Sequence, residues 1–572
     1  MKRNLYFSLF LSLLIIRSFP AASQFSGSDP ISDYLPGQVI PDPYNPNKLA
    51  YYKDENNDGQ LDPFFLCGLG DPEGFLYRGK RNKDGTRSGD QQEIIQNLKD
   101  HGGNCIYLMA VRTHGGDARK SKQDEPEIYP DDYHNPWLGQ DPKNGLNMDL
   151  LNQWEDWFVE MEKNNILIYF FIYDDAIKVE DQFGWGLNEE GELHANEKKF
   201  VQELVNRFKH HPNLIWCIME EGQEIGKDWQ QHISKIAEAI REVDDHKHII
   251  AGHQLGGNVF FHKNDPVIRQ FAIQTHVDYV ATPNELHNWL LKAHEVPMGN
   301  YSLVVAEDYY HGNITVPNGD RKETRLRSWA SAMAGTYVMI YGLTGVNTPP
   351  SWLQDCKAIQ DFFESTNFNE LSPNDSLSYG ETSFVLSNTG FDYILYSSNS
   401  TKNLGLKNLE EGIYNLTWFD ILTMETRVLD NISVGPLSNH TWTKPQEFGE
   451  EVVLYINRVD RRPERNQTYI QSDSQVLSGS TENIPPTVED IILNIERNTI
   501  HNIQLRFVDA DGGPGPYEIT IIEGPEHGVL SGVGNDRIFQ PTKNFRGKDQ
   551  FTWKVNDGKD DSQIGRVELN IK

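Results

Sequence analysis

The sequence predicts an α/β fold: a (β/α)8 TIM barrel followed by two all-β sandwich domains. Between about residues 60 and 366, eight short apolar runs alternate with segments of helical periodicity. After about residue 376 only short alternating runs remain, separated by Asn and Gly turns. The 572 residues also exceed what one hydrophobic core usually holds. An open doubly wound sheet is the alternative for the first part, but no glycine-rich phosphate loop follows the first apolar run.

The eight apolar runs predict the barrel strands, because each is bounded by turn residues and followed by a helical pattern. They are Phe64–Gly68, Cys105–Ala110, Ile166–Ile172, Leu214–Met219, Ile249–Gly252, Tyr279–Ala281, Leu303–Ala306 and Tyr337–Tyr341. The helical pattern is clearest where Leu150, Trp154, Phe158 and Met161 share one face. Because the strands are parallel, their carboxyl ends should meet at one end of the barrel.

The N-terminus predicts export. Met-Lys-Arg is followed by an apolar run from Leu5 to Ile16 and by the small residues Ala21-Ala22-Ser23, which is typical of a cleaved signal peptide over residues 1–23. A membrane anchor is the weaker alternative, because the run is short for a bilayer. We therefore expect a secreted, periplasmic or cell-surface protein.

The domain boundaries follow from these changes of pattern. We predict a barrel with an N-terminal extension over residues 24–366 and a β-sandwich over 370–458. A polar linker spans 459–485, and a second all-β unit spans 486–572. Val508-Asp-Ala-Asp-Gly and Phe551-Thr-Trp-Lys-Val-Asn-Asp-Gly make this last unit resemble the cadherin-like or Ig-like modules of exported bacterial enzymes.

Charge and cysteine content exclude several classes of function. A net charge of −31 argues against nucleic acid and against anionic membranes as partners. Four cysteines in so long a chain do not form a disulfide scaffold, so we expect buried small side chains, with a Cys67–Cys105 bridge as the alternative. We expect a monomer.

Two glutamates end predicted strands four and seven. Trp216-Cys-Ile-Met-Glu-Glu221 and Leu303-Val-Val-Ala-Glu307 each lead from an apolar run into a carboxylate. Hydrolysis of a glycosidic bond uses one carboxylic acid and one carboxylate. A single glutamate in such a position more often caps a helix or forms a salt bridge, so the argument depends on the pair.

These two runs resemble the motifs of the retaining glycoside hydrolases of clan A. The resemblance implies that Glu221 is the acid/base, that Glu307 is the nucleophile, and that no cofactor takes part in catalysis. One departure is Glu220, which stands where these enzymes usually have an Asn that holds a sugar hydroxyl. Glu220 as the acid/base is therefore an alternative, and a non-catalytic carbohydrate-binding or adhesion protein is the alternative to an enzyme.

Three basic loops at the predicted catalytic end favour an anionic polysaccharide, sulfated or carboxylated, such as an algal galactan. Their basic residues are Arg78, Lys80, Arg81, Lys83 and Arg87; Arg112, His114, Arg119, Lys120 and Lys122; and Arg321, Lys322, Arg325 and Arg327. A neutral glucan, mannan or galactan is the alternative substrate. The further candidates for substrate contact are Arg112, His114, Tyr173, Glu220, His287 and Trp352.

A separate motif predicts structural calcium. Asp54, Asn56, Asp58, Gln60 and Asp62 alternate around Gly59, in the spacing of an EF-hand loop. Position twelve is Phe65 instead of the usual glutamate, so a polar turn is the alternative.

Overall fold

Eight parallel strands pair in chain order and close into a barrel. The computed structural model describes residues 34–43, 45–53, 61–70, 74–112, 134–175, 177, 179–226, 228–276, 280–294, 301–309, 321–340, 348–435, 439–461, 485–488, 490–499, 501–505, 507–508, 518–531, 536–557 and 559–572. The barrel strands are β1 (Cys67–Leu69), β2 (Cys105–Val111), β3 (Leu167–Tyr173), β4 (Leu214–Met219), β5 (Ile250–Gln254), β6 (Gln270–His276), β7 (Ser302–Tyr309) and β8 (Tyr337–Ile340). The predicted barrel is confirmed.

Amphipathic helices surround the strands, each with one apolar face on the barrel. They are α1 (Gln91–His101), α2 (Met148–Lys163), the short α3 (Val179–Phe183), α4 (Ala195–Phe208), α5 (Trp229–Arg241), α6 (Pro283–His294), α7 (Arg321–Met333) and α8 (Pro350–Glu364). The Asn147 side chain caps α2 by accepting from the backbone N–H groups of Asp149 and Leu150. Two short hairpins, Val39–Pro41 with Leu49–Tyr51 and Lys80–Arg81 with Arg87–Ser88, flank the barrel.

The sixth strand differs from the sequence prediction. The structure places it at Gln270–His276, whereas Val280 and Ala281 of the predicted run lie outside any strand. Polar residues at 270, 274, 275 and 276 interrupt the apolar pattern, and the Gln274 side chain reaches the glutamates of β4 and β7. The prediction Tyr279–Ala281 was therefore wrong for this element.

A β-sandwich packs against the barrel helices. Its six-stranded antiparallel sheet has the order Ser372–Pro373, Phe384–Asn388, Asp392–Ser397, Val452–Arg458, Gly412–Asp420, Thr426–Val434. Its second sheet has the order Ser378–Gly380, Asn403–Lys407, Asn439–Thr443. The ring of Tyr396 stacks on Trp329 of α7 with 5.7 Å between centroids, so one apolar core spans both units.

The C-terminal unit is also all-β. Its four-stranded sheet has the order Ile491–Ile495, Gly565–Ile571, Gly547–Asn556, Glu518–Glu523. A three-stranded sheet has the order His501–Gln504, Asp536–Pro541, Gly528–Ser531, and Thr487–Val488 pairs with Phe507–Val508. Trp553 and Phe551 fill the core between the sheets.

All four cysteines are buried as free thiols, without a Cys67–Cys105 bridge. Among the described residues, no helix combines the length and apolar character that crossing a bilayer needs.

Candidate active site

Three carboxyl groups meet at the carboxyl ends of β4 and β7, where side chains from three other barrel strands contact them. Glu220 and Glu221 directly follow β4, and Glu307 lies near the end of β7. Three further side chains contact these carboxyl groups: Tyr107 on β2, His253 on β5 and Gln274 on β6. The structure therefore brings together the two glutamates that the sequence predicts as a catalytic pair.

Glu221 has an unusual backbone conformation where β4 ends. The Glu220 N–H donates to the Tyr173 carbonyl at 3.1 Å and so extends the ladder between β4 and β3 by one residue. Glu221 then turns into the left-handed region with φ 43° and ψ 56°. For a residue with a Cβ this conformation costs about 1–2 kcal/mol. The Glu221 N–H donates to His253 Nδ1 at 2.8 Å, which helps to hold the turn.

Gln274 joins the two predicted catalytic carboxyl groups through one nitrogen. Its Nε2 donates to Glu221 Oε1 at 2.7 Å and to Glu307 Oε2 at 2.8 Å. The Gly256 N–H donates to Gln274 Oε1 at 3.1 Å, which orients the amide with Nε2 toward the glutamates. The two N–H bonds of an ideal planar amide diverge by about 120°, and at these two distances that angle corresponds to accepting oxygens about 4.8 Å apart.

A β-bulge positions Glu307 beside Gln274. Strands β6 and β7 pair Ile273 with Val305 and then Gln274 with Glu307, so Ala306 is an extra residue in β7. A bulge re-aims the side chains that follow it. Gln274 and Glu307 consequently become neighbours across the two strands, within direct hydrogen-bonding distance.

Tyr107 contacts two carboxyl groups with one hydroxyl. Its oxygen lies 2.9 Å from Glu220 Oε1 and 3.1 Å from Glu307 Oε1. A hydroxyl has one proton, so it donates to one carboxylate and accepts from the other group only when that group is protonated. Both contacts are hydrogen bonds when Glu220 or Glu307 is protonated, and only one of them is a hydrogen bond when both are ionised.

The site is largely shielded from solvent. The exposed fractions of Glu220, Glu221 and Glu307 are 5%, 7% and 1%. Three ionised carboxylates this close would repel one another strongly where little water screens them. Water therefore screens the interactions among these three groups only weakly.

His253 also faces the carboxyl group of Glu307. Its Nδ1 accepts the Glu221 N–H, so the ring proton is on Nε2, which lies 3.7 Å from Glu307 Oε1. Burial lowers the pKa of His253, although the nearby Glu307 and Asp175 act in the opposite direction. The neutral ring can direct its N–H dipole toward Glu307.

The other predicted contact residues lie at different places. Arg112 follows β2 directly and is buried, with its N–H bonded to the His134 carbonyl. The Tyr173 hydroxyl contacts the buried Glu197 at 3.4 Å, so it faces α4. Trp352 is half-buried in the first turn of α8, against the barrel core. His114 lies outside the described residues.

His287 does not lie where the sequence interpretation placed it, among the residues that contact the substrate. Its Nδ1 bonds the Ala330 carbonyl at 2.9 Å and its Nε2 bonds Asp375 Oδ2 at 2.7 Å. Its ring stacks on Phe384 of the sandwich with 3.7 Å between centroids. His287 therefore lies in the interface between barrel and sandwich, because it is on the face of α6 that the sandwich covers.

Three of the four basic residues predicted on α7 form ion pairs with carboxylates of the protein. Arg321 binds Asp355 through two hydrogen bonds of 2.7 and 2.8 Å, and Arg325 binds Glu451 through two of 2.8 Å. Arg327 likewise binds Asp308. In the first loop Arg78 pairs with Asp90, whereas Lys80 and Lys83 are exposed. Arg119, Lys120 and Lys122 lie outside the described residues.

The predicted calcium loop is described at one end only. Asp54, Asn56, Asp58 and Gln60 lie outside the described residues. Asp62 is half-buried, and its backbone bonds to Lys53 and Tyr51 close the base of the loop.

Sequence reasoning did not identify Tyr107, His253 or Gln274 as site residues. His253 and Gln274 are polar side chains in the carboxyl half of a barrel strand, as Glu307 is, whereas Tyr107 is the third of the seven residues of β2. This position is the signal that could have found His253 and, with the correct sixth strand, Gln274.

Comparisons with known proteins agree with this architecture. Residues 82–358 match the family model described as Apiosidase-like, catalytic domain, and residues 483–570 match a bacterial Ig domain. No curated protein matches the chain.

Several solved structures share the fold. A glycoside hydrolase of family 5 from Bacteroides vulgatus is 14% identical with a TM-score of 0.51, and the match covers 75% of this chain and 95% of that one. A protein described as a glycoside hydrolase is 16% identical with a TM-score of 0.51, over 75% and 99% of the two chains. Another proposed glycoside hydrolase from Bacteroides vulgatus is 12% identical with a TM-score of 0.52, over 76% and 84%. The chain thus has a glycoside hydrolase-like fold.

Proposed function

We propose that this protein is a glycoside hydrolase that cleaves its substrate by retaining double displacement. The observation that carries the proposal is the contact of Gln274 Nε2 with both Glu221 and Glu307. The resulting oxygen separation of about 4.8 Å is close to the roughly 5–5.5 Å of retaining enzymes and well below the roughly 6.5–9.5 Å of inverting ones.

In the first step Glu307 is the nucleophile and Glu221 the general acid. A Glu307 oxygen attacks the anomeric carbon while Glu221 gives its proton to the leaving glycosidic oxygen. The bond to the leaving group breaks and a glycosyl ester forms on Glu307. In the second step Glu221 removes a proton from water, which attacks the same carbon and releases the sugar with its original configuration.

Three neighbours support this division of roles. Gln274, Tyr107 and His253 surround Glu307 with N–H and O–H groups, which stabilise its carboxylate both before attack and when it leaves. Burial of Glu307 keeps water from screening these interactions.

Glu221, rather than Glu220, is the proposed acid/base. Gln274 fixes the distance between Glu221 and Glu307, whereas Glu220 is linked to Glu307 through the Tyr107 hydroxyl. Glu220 then takes the place of the Asn in related barrels, accepting a hydrogen bond from a sugar hydroxyl. Its negative charge also favours the protonated form of Glu221.

The proposed substrate is an anionic polysaccharide, with an apiose residue as the candidate sugar to be released. The match to an apiosidase-like family supports apiose. The exposed Lys80 and Lys83 support an anionic chain. The arginines of α7 do not, because they form ion pairs within the protein. The export signal predicted at residues 1–23 and the bacterial Ig domain support action outside the cell.

The decisive experiment compares the wild type with Glu307→Gln and Glu221→Ala. Reducing ends are measured on sulfated, carboxylated and neutral polysaccharides and on a chromogenic apioside, and product anomers are followed by NMR. We expect activity with retention in the wild type and its loss in Glu307→Gln. Azide should rescue Glu221→Ala on the chromogenic substrate by forming a glycosyl azide. Full activity of Glu307→Gln, an inverted product, or no activity of the wild type on any substrate would contradict the proposal.

A further inference from the structure

Three side chains that commonly bind metals meet at the end of the barrel opposite the glutamates. Glu155 lies on α2, and His210 and His211 lie in the turn between α4 and β4. Glu155 Oε1 is 2.7 Å from His210 Nε2 and 3.4 Å from His211 Nε2. Ligand atoms around a tetrahedral ion with bonds of about 2.0–2.1 Å lie about 3.3 Å apart. Small side-chain rotations would therefore bring all three atoms onto one ion.

His211 is already oriented for such a role. Its side chain is fully buried, and Nδ1 bonds Glu162 Oε2 at 2.9 Å. Its Nε2 has no hydrogen-bond partner in the described part of the chain and lies on the side of Glu155. A carboxylate on one ring nitrogen and a metal on the other is the usual arrangement of metal-binding histidines. His248 Nε2 also bonds the His211 carbonyl at 2.9 Å and fixes the backbone.

The charges around the cluster are compatible with a divalent cation. Arg207 Nη1 lies 2.6 Å from Glu155 Oε2, so it contacts the oxygen that the histidines do not. Glu155 and Glu162 supply negative charge, and Arg207 is the opposing positive charge at the cluster. His210 is half-exposed, which leaves a path for the ion and room for a water ligand.

We propose that Glu155, His210 and His211 form a binding site for a first-row divalent transition metal ion such as Zn²⁺. Two imidazoles and one carboxylate suit such ions, whereas Ca²⁺ and Mg²⁺ prefer oxygen ligands alone. The site ties α2 to the segment entering β4. Six strand residues separate this end from Glu220, a distance of about 20 Å, so the ion stabilises the barrel and takes no part in the chemistry.

The test uses full-length protein without a histidine tag, stripped with EDTA and exchanged into buffer containing Ca²⁺. Zn²⁺ is titrated by calorimetry into the wild type, His210→Ala, Glu155→Gln and the control His101→Ala, which removes a histidine at the end of α1. We expect one ion per wild-type and His101→Ala chain, and at least tenfold weaker binding in the other two variants. His211 is left intact, because truncating a buried side chain endangers folding.

Thermal unfolding gives a second readout. Zn²⁺ should raise the Tm of the barrel transition in the wild type and in His101→Ala, and not in His210→Ala. No binding of Zn²⁺ by the wild type would overturn the proposal. Equal binding by the wild type and His210→Ala would also overturn it, and would identify the bound Zn²⁺ as adventitious.

Discussion

Glu221 and Glu307 accept hydrogen bonds from the same nitrogen atom, Nε2 of Gln274. The two carboxyl groups lie on strands β4 and β7, which are not neighbours in the barrel, so no backbone pairing sets their distance. The amide of Gln274 bridges them, and its own orientation is fixed by the Gly256 N–H. The separation of the two carboxyl groups thus depends on this side chain together with the left-handed turn at Glu221 and the bulge at Ala306.

The first prediction concerns Gln274. Gln274→Leu keeps the approximate volume and removes both hydrogen bonds, so kcat should fall about 10²–10³-fold, the usual effect of losing a buried donor to developing charge. Gln270→Leu is the matched control, because Gln270 is a buried glutamine on the same strand that bonds Ser302 instead of a glutamate. Steady-state kinetics on both variants test this, with circular dichroism to verify folding. Equal losses in the two variants would show that Gln274 acts only through strand stability.

The second prediction concerns the hydroxyl between Glu220 and Glu307. Tyr107→Phe removes it without changing the ring, and hydrogen bonds to charged groups contribute about 1.5–3 kcal/mol. We therefore expect kcat/KM to fall about 10–100-fold. Tyr169→Phe is the control, because Tyr169 stacks near Tyr107 at 6.3 Å between centroids but its hydroxyl lies beside the buried Cys217 instead of a glutamate. An unchanged pH–rate profile and unchanged kcat/KM in Tyr107→Phe would contradict a role in the site.

The two glutamates could be predicted from sequence because each directly follows an uninterrupted apolar run. In a parallel barrel the carboxyl ends of all strands meet, so finding such residues predicts their proximity without knowledge of side-chain positions. The exact contact could not be predicted, because it depends on the left-handed turn at Glu221 and the bulge at Ala306.

The residues that support the glutamates were harder to find for a physical reason. Gln274 lies in a strand with polar residues at 270, 274, 275 and 276, so periodicity alone placed the strand too late in the sequence. Tyr107 lies within an apolar run, where a tyrosine looks like core packing. Because the sixth strand was placed too late, His287 was expected close to its end, whereas it lies on α6 and contacts the sandwich.

The third prediction concerns the contact between barrel and sandwich. Arg325 and Glu451 are both buried and form two hydrogen bonds of 2.8 Å across the interface. Arg325→Met leaves Glu451 buried without its partner, so the free energy of unfolding should fall by about 3–5 kcal/mol. Urea unfolding followed by tryptophan fluorescence measures the change.

Two comparisons make this prediction specific. Arg427→Met breaks an exposed ion pair with Glu447 and should have little effect. The double variant Arg325→Met/Glu451→Leu should recover much of the stability, because the unpaired charge of Glu451 is removed and Asp355, the other carboxylate near Arg325, keeps its two hydrogen bonds from Arg321. A double variant as unstable as Arg325→Met would mean that the loss arises from packing instead of charge.

The last prediction concerns Glu364, at the end of α8, whose Oε1 accepts the Phe65 N–H at 2.9 Å. Burial raises the pKa of Glu364 to about 7, with Asp361 acting in the same direction and Phe65, Lys357 and Lys53 opposing it. Between its ordinary value of 4.5 and about 7, the folded state holds a proton that the unfolded state has lost. The contribution of this group to stability is therefore fully present below about pH 4.5 and declines as the pH rises to about 7.

Glu364→Gln should remove this decline, because glutamine keeps the acceptor for the Phe65 N–H and carries no charge. The variant should match the wild type at pH 4 and exceed its free energy of unfolding by about 1–3 kcal/mol at pH 8. Urea unfolding of the barrel at pH 4, 5.5 and 8 measures the difference, and Glu189→Gln, at an exposed position, is the control. A difference that stays constant with pH, or one that is larger at pH 4 than at pH 8, would show that the carboxyl group of Glu364 is not the source.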